Sequence, residues 1–318
     1  MRLALISFLV LAGCQTEPAN IAIIENESEI ADEAFLREVA RAFYADHPDT
    51  FDMLVLWGAP GTGPLNSYYH PVKNDVRGIG YQHVGPELFD RSAEFGSTRL
   101  QGIIWMAPAW RTNQEPGPRS TLGILAQESG HRWGSSVYFR SEATKDGVST
   151  DLLANPYHWS FFLDTGASPM GGNQWQRIGE DTYLAAPVDF VAFSPLDLYL
   201  MGLVGREAVA PLRLLSDIRD ESGNPSSAFT RASRRVTRPV TVRARAVEVP
   251  LDAIIAVEGP RSPNTGNGAR DIRQAWIYVS RGGEVPKPDL EVLAGLQAGW
   301  DDFFSQATSG LSRMDSSL

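Results

Sequence analysis

The stretch Ile124-Leu125-Ala126-Gln127-Glu128-Ser129-Gly130-His131-Arg132-Trp133-Gly134 carries most of the information about fold and function in this chain. Apolar residues recur along it as in a buried helix, and Ser120 before it is a typical helix N-cap. Residues four apart lie on one face of a helix, so Gln127 and His131 share a side. Glu128 lies one turn before His131, where a carboxylate can reach a water bound to the same metal. The stretch therefore predicts a buried helix with metal-site chemistry.

Hydrophobic periodicity predicts the other elements of the chain. It favours helices over 34–44, 121–133 and 288–307, and strands over 53–57, 100–106, 240–249 and 275–279. We find no internal repeat, and 43% hydrophobic with 21% charged residues is an ordinary globular composition. The sequence therefore predicts an α+β domain.

The helix pattern resembles the zincin signature His-Glu-x-x-His of zinc peptidases, with Gln127 in place of the first histidine ligand. The resemblance implies a zincin-like fold, with this helix packed on a mixed β-sheet, a Zn²⁺ cofactor held by Gln127 and His131, a peptide or protein substrate, and Glu128 as general base. An amide oxygen is a weaker zinc donor than an imidazole, so we expect impaired metal binding or turnover. Three interpretations stay open: Gln127 binds weakly in a working site, another residue replaces it, or turnover has been lost.

A zinc site needs a further ligand from elsewhere in the chain, and His158 is our candidate. The elongated metzincin pattern would place a histidine at position 137, which is Val137, so the resemblance is to the broader zincin group. Glu142 is a competing ligand, although it lies only a short stretch beyond the helix. If the site turns over peptide, Tyr157 or Tyr199 is our candidate to support the oxyanion.

Three later stretches carry a second resemblance. They are His158-Trp159-Ser160-Phe161-Phe162-Leu163-Asp164, Ser168-Pro169-Met170-Gly171-Gly172-Asn173 and Phe193-Ser194-Pro195-Leu196-Asp197-Leu198-Tyr199-Leu200-Met201-Gly202. They look like a family of secreted and lipid-anchored bacterial proteins that are regarded as candidate metallopeptidases, and the likeness covers most of residues 34–318. Resemblance to metzincins would also place Met170 or Met201 in a methionine turn beneath the metal, although a single methionine is more typical of plain core.

The N-terminus predicts export and lipidation. Arg2 precedes a short apolar run over 3–11, and Leu11-Ala12-Gly13-Cys14 resembles the bacterial lipobox. Cys14 is the only cysteine, which argues against a disulfide framework and favours lipid attachment. The resemblance implies a membrane-anchored, extracytoplasmic bacterial lipoprotein.

These features divide the chain into four predicted segments. They are a signal peptide over 1–13, a lipidated N-terminus with a flexible tether over 14–29, a zincin-like domain of catalytic type over 30–205, and a C-terminal α/β extension over 206–318 that packs on the same domain. Gln15 after the cysteine favours the outer membrane over the inner one. The net charge of −10 argues against nucleic acid as a partner, and we expect a monomer.

Two other functions compete with the metallopeptidase interpretation. Phe161-Phe162-Leu163-Asp164-Thr165-Gly166-Ala167-Ser168 resembles the loop of aspartic peptidases, which would make Asp164 catalytic, but that mechanism needs a second such aspartate and the chain holds no second Asp-Thr-Gly. Otherwise Asp164 caps a turn. The third possibility is a surface lipoprotein that binds a partner through a zincin-like scaffold without turnover, with its eight tryptophans supplying contact area.

Overall fold

The computed structural model of the chain describes residues 20–26, 32–113, 117, 120–264 and 270–318. Its helices and strands in chain order are β1 (Ile21–Glu25), α1 (Glu33–Asp46), β2 (Met53–Gly58), β3 (Tyr68–Pro71), β4 (Lys73–Asn74), β5 (Phe89–Asp90), β6 (Gly102–Met106), α2 (Thr121–Gly130), β7 (Phe139–Arg140), β8 (Val148–Ser149), β9 (Leu153–Asn155), β10 (His158–Asp164), β11 (Gly171–Asn173), β12 (Trp175–Arg177), β13 (Thr182–Ala185), α3 (Pro195–Met201), β14 (Leu212–Arg219), β15 (Val240–Val249), α4 (Leu251–Glu258), β16 (Asp271–Ser280), α5 (Lys287–Ala307) and β17 (Arg313–Asp315).

The first sheet is mixed and has the strand order β1-β16-β2-β6-β3, with β17 paired to β16. Neighbouring strands among β1, β16, β2 and β6 are parallel, as are β16 and β17, whereas β3 is antiparallel to β6 at the edge. Every residue of β2 is buried, as expected for a parallel strand covered on both faces. Leu54 and Leu56 contribute to the core beneath α1, whereas Val55 and Trp57 contribute to the larger core on the opposite face.

Helix α1 covers the outer face of this sheet. Asp32 caps it by accepting a hydrogen bond from the main-chain N–H of Phe35 at 3.0 Å, and Phe35, Val39 and Phe43 are buried on the side that meets the sheet. Spacings of three and four residues align these side chains in one stripe. The helix predicted from this periodicity is confirmed.

The second sheet is also mixed and has the order β11-β10-β14-β15-β13-β12, with β9 paired to β10. Strands β10 and β11 are parallel, and the other pairs are antiparallel. Side chains of β10, such as Trp159 and Phe161, join α2 and the inner face of the first sheet in the larger core. The α+β class with mixed sheets is therefore confirmed.

Helix α2 begins as predicted and ends earlier. Ser120 Oγ accepts a hydrogen bond from the main-chain N–H of Gly123 at 3.0 Å, which confirms the N-cap. The helix was expected to run to residue 133 but ends at Gly130, and the carbonyl of Gly130 accepts from the N–H groups of Trp133 and Gly134 at 3.0 and 3.1 Å. The chain thus continues through one looser hydrogen-bonded turn over 131–133, and Ser135 then takes a positive φ of 72°.

The structure corrects two predicted boundaries. The tether over 14–29 contains β1, whose residues Ala22 and Ile24 are buried and which pairs in parallel with β16. Residues 206–318 supply β16 to the interior of the first sheet as well as β14 and β15 to the second. The C-terminal segment is therefore part of both sheets, because strand pairing joins elements that are far apart in sequence.

The predicted signal peptide and Cys14 lie outside the described residues. Within the described part of the chain, no helix has both the length and the apolar composition to cross a membrane.

Candidate metal centre

The motif residues Gln127 and His131 lie close to His158, the further ligand predicted from the sequence, at the start of β10. Gln127 and His131 come from the last turn of α2 and its C-cap, and His158 is the first residue of β10. Gln127 Nε2 lies 3.3 Å from His158 Nε2, and the rings of His131 and His158 lie 5.0 Å apart, centroid to centroid, at nearly a right angle. One helix and one strand of different sequence regions therefore bring two imidazoles and an amide together.

Glu128 is buried beside this group and is 3% exposed. Its Oε1 lies 3.3 Å from Gln127 Nε2, and its Oε2 lies 3.9 Å from His131 Nε2. Burial raises the pKa of the Glu128 carboxyl to about 7, although hydrogen bonds from the Gln127 side chain and the main chain of Tyr69 on β3 oppose the shift. A carboxyl with this pKa can both take and return a proton near neutral pH.

Both imidazoles of the site are biased towards their neutral form. Burial, together with a smaller effect of the adjacent His158, lowers the pKa of His131 to about 3. Burial also lowers the pKa of His158. Among the described residues, the buried Nδ1 of His131 has no hydrogen-bond partner. Neutral imidazoles keep a nitrogen lone pair, which is the form that binds a metal ion.

Strand β16 and the chain beyond β10 hold α2 in place. Gln274 on β16 is fully buried and donates a hydrogen bond to Ser129 Oγ at 3.4 Å. Met170 packs against Gly130 so closely that a Cβ at residue 130 would overlap its sulfur, and Phe193 crowds the same position. Met170 therefore lies directly beneath the end of the site helix, whereas Met201 is buried at the end of α3 and its carbonyl accepts a hydrogen bond from Arg261.

The other residues proposed for the site lie in different surroundings. Tyr157 is half-exposed, and its ring lies 6.3 Å from that of His131, centroid to centroid. Tyr199 is buried, and its hydroxyl accepts a hydrogen bond from the main-chain N–H of Arg261 at 3.3 Å. Glu142 is exposed in the turn between β7 and β8. Of the two tyrosines, only Tyr157 is placed beside the imidazoles.

The three remaining histidines have contacts of their own. They are His47, stacked on Phe43 at 4.3 Å between centroids, His70, whose Nε2 lies 3.6 Å from Glu33 Oε2, and His83, whose Nε2 lies 2.9 Å from Glu258 Oε1. His158 is therefore the histidine that joins His131.

Sequence reasoning missed Asn155, which lies across the β9–β10 hairpin from His158. Its Oδ1 lies 3.0 Å from His158 Nδ1 and also accepts a hydrogen bond from the main-chain N–H of Tyr157 at 2.9 Å. The sequence did contain a signal for the turn contact, since an asparagine before a proline often accepts a hydrogen bond from the main-chain N–H two residues further on. Only the pairing of the strands showed that the same oxygen meets the histidine.

Two imidazoles and one amide are the side chains of this site that could hold a divalent cation. Over the described ranges, no group of three or more His, Cys, Asp or Glu side chains is placed to hold a metal ion. A cation here would be bound by ring nitrogens of His131 and His158 and by the amide oxygen of Gln127, whose amide nitrogen is the atom that now faces His158 and Glu128. The orphaned, buried Nδ1 of His131 indicates a site whose hydrogen bonding the protein alone does not complete.

Asp164 lies at the far end of β10, away from this group. It accepts hydrogen bonds from the main-chain N–H groups of Gly166 and Trp175 at 3.4 and 3.2 Å and from Arg213 Nη1 at 3.1 Å. A cavity of about 400 Å³ lies beside it, and the described residues that line the cavity include no second acidic side chain. Asp164 thus caps the turn after β10, with Gly166 at a positive φ of 63°.

Comparisons with protein-family models, curated proteins and solved structures gave no match to this chain.

Proposed function

We propose that this chain is a zincin-like, metal-dependent hydrolase of peptide bonds, with activity limited by Gln127. The observation that carries the proposal is the convergence of Gln127, His131 and His158 beside a buried Glu128. The packing of α2 against β6 and β3 of a mixed sheet also agrees with the fold that the resemblance implies. We assign Glu128 as the general base and Gln127, His131 and His158 as the ligands of the cation.

His131, His158 and Gln127 would hold the cation. When bound, a divalent cation supplies Lewis-acid activation of water and of the scissile carbonyl. The two imidazoles are suited to this because burial keeps them unprotonated at neutral pH. Gln127 is the weak point, since its Nε2 contacts both His158 and Glu128. Its amide N–H groups thus lie between His158 and Glu128, where the cation would otherwise lie.

Glu128 supplies the proton transfers of the proposed reaction. In its ionised form it accepts a proton from the attacking water, and in its protonated form it returns that proton to the leaving amine nitrogen. Its burial keeps its pKa at about 7, so both forms are populated near neutral pH. Tyr157, whose ring lies 6.3 Å from that of His131, is our candidate to support the oxyanion.

The edge strand β3 favours an extended peptide as the substrate. Within the described part of the chain, β3 pairs only with β6, so one side of it is unpaired. Tyr69 on β3 contacts Glu128 through its main chain. A peptide added as a further strand would bind through main-chain hydrogen bonds and pass beside the carboxylate.

The test is a zinc titration and a peptide-cleavage assay on the wild-type chain and three variants. We expect Gln127→His to bind zinc at least about tenfold more tightly than wild type, because imidazole is the stronger donor. We expect Glu128→Gln to keep its zinc and lose cleavage. The matched control is Gln176→His, an exposed position on β12, which should bind zinc as wild type does.

Each outcome of this experiment decides between stated alternatives. Zinc binding and chelator-sensitive cleavage by wild type support a working site. Zinc binding by Gln127→His but not by wild type supports the second candidate, a binding lipoprotein without turnover. The observation that favours this candidate is that Gln127 provides hydrogen bonds to both Glu128 and His158 without a cation. Absence of zinc from both proteins contradicts the metal site altogether.

We also propose that Cys14 carries lipid and anchors the protein outside the cytoplasm, at the outer membrane where the host has two membranes. The support is the lipobox resemblance and the single cysteine. Two acyl chains would anchor the protein without any membrane-spanning segment.

A further inference from the structure

The short hairpin between β9 and β10 shows which end of the Asn155 side-chain amide is the oxygen. Asn155 and His158 are cross-strand partners on either side of the turn formed by Pro156 and Tyr157. The main-chain N–H of Tyr157 lies 2.9 Å from Asn155 Oδ1. A main-chain N–H can only donate, so the atom it meets is the acceptor end of the amide, which is its oxygen.

The same oxygen then determines which nitrogen of His158 carries the proton. Asn155 Oδ1 lies 3.0 Å from His158 Nδ1, and an amide oxygen can only accept. Nδ1 must therefore be the protonated nitrogen. In a neutral imidazole this leaves a lone pair on Nε2, which lies 3.3 Å from the donating Nε2 of Gln127. Each contact of His158, with Asn155 and with Gln127, therefore pairs one hydrogen-bond donor with one acceptor.

We propose that Asn155 is a positioning residue that holds His158 as the Nδ1-protonated tautomer and directs its Nε2 lone pair towards Gln127 and His131. The use of that lone pair as a metal ligand rests on the proposed function, whereas the tautomer itself does not. Ligating histidines commonly donate their other N–H to a fixed acceptor, which orients the ring before the cation arrives. His131 differs, because its Nδ1 has no such acceptor among the described residues.

A purely structural role for Asn155 would be to shape the turn, and three variants separate the two roles. Asn155→Asp keeps an acceptor for both Tyr157 and His158. Asn155→Ser keeps a side-chain oxygen that can accept from the main chain of Tyr157, but its shorter side chain does not reach the imidazole as the amide does. Asn155→Ala removes both contacts. If shaping the turn were the only role, Asn155→Ser would behave as wild type does.

The experiment is ¹⁵N NMR of the imidazole nitrogens in the purified, metal-free chain, labelled at histidine. The chain has only five histidines, and His158→Ala assigns the signal of interest. We expect wild type and Asn155→Asp to show a protonated Nδ1 and an unprotonated Nε2 at His158. We expect Asn155→Ala and Asn155→Ser to shift towards the Nε2-protonated tautomer. A wild-type ring protonated at Nε2, or an unchanged tautomer in Asn155→Ser, overturns the proposal.

A zinc titration of the same samples separates this inference from the proposed function. If both hold, Asn155→Ala binds zinc about 10- to 100-fold more weakly than wild type, and Asn155→Asp recovers the affinity. If wild type shows the expected tautomer but binds no zinc, the proposed function fails and the positioning role of Asn155 stands. If wild type binds zinc and Asn155→Ser keeps both tautomer and affinity, the positioning role fails alone.

Discussion

Glu128 and His131 lie one helical turn apart, and burial shifts their pKa values in opposite directions. It raises the pKa of Glu128 to about 7 and lowers that of His131 to about 3, because burial disfavours the charged form of either group. The pair is therefore uncharged under mildly acidic conditions, where a free carboxylate and a free imidazolium would attract each other. This suits a site that presents lone pairs rather than charges.

The shifted pKa of His131 predicts that this residue makes an acid-sensitive contribution to the stability of the metal-free chain, whereas the raised pKa of Glu128 contributes in the opposite direction. An unfolded histidine takes up a proton at its ordinary pKa of about 6.5, while folded His131 resists protonation down to about pH 3. At this residue the unfolded state then binds more protons, so the contribution of His131 to stability is lost as pH falls through this range. We expect His131 to account for a loss of about 3 kcal/mol in the free energy of unfolding between pH 7 and pH 4.

Urea unfolding at these two pH values measures the effect, with His131→Gln as the comparison. The variant should lose about 3 kcal/mol less than wild type over the same interval, since other titrating groups are common to both proteins. Equal losses in the two proteins would show that His131 titrates normally in the folded state.

At the scale of single elements, α2 depends on the absence of a side chain at Gly130. A Cβ there would overlap Met170 Sδ and crowd Phe193, so the close approach of these buried residues to the helix requires glycine. Gly295 in α5 is a matched contrast, because it is exposed and a Cβ there meets no atom within 4 Å. Gly130 is the last residue of α2 and Gly295 lies within α5, and of the two only the position at Gly130 is crowded.

Alanine substitutions at these two positions should therefore have opposite effects. We expect Gly130→Ala to destabilise the protein by about 1–3 kcal/mol through overpacking. We expect Gly295→Ala to stabilise it by about 0.5–1 kcal/mol, since alanine has less backbone freedom to lose in a helix. Chemical denaturation of both variants measures the difference, and a neutral Gly130→Ala would mean that Met170 can move aside.

At the scale of the whole molecule, an internal strand of the first sheet comes from the C-terminal part of the chain. Strand β16 pairs with β1 on one side and β2 on the other, and Trp276 and Ile277 bury their side chains on opposite faces. Its Gln274 also contacts α2 through Ser129. The residues of the candidate metal centre thus depend on a strand far from them in sequence.

A chain that ends at residue 205 should consequently fail to fold cooperatively. It would lack β16 between β1 and β2, and also β14, which pairs with β10. Near-ultraviolet circular dichroism and urea unfolding provide the measurement, with the full chain as the control. A sharp unfolding transition in the shortened chain would show that residues 206–318 are an appended unit after all.

Local sequence determined the helix with Ser120 as its cap, the buried strand β2, the periodic helices α1 and α5, and the shared face of Gln127 and His131. Each depends on residues within a few positions of one another, so hydrophobic spacing and capping suffice to predict it. Only the tertiary structure decided that β1 belongs to the fold, that β16 lies between β1 and β2, and that His158 meets His131 with Asn155 behind it. These arrangements depend on pairing and packing between distant segments, which share a common buried core but no local pattern in the sequence.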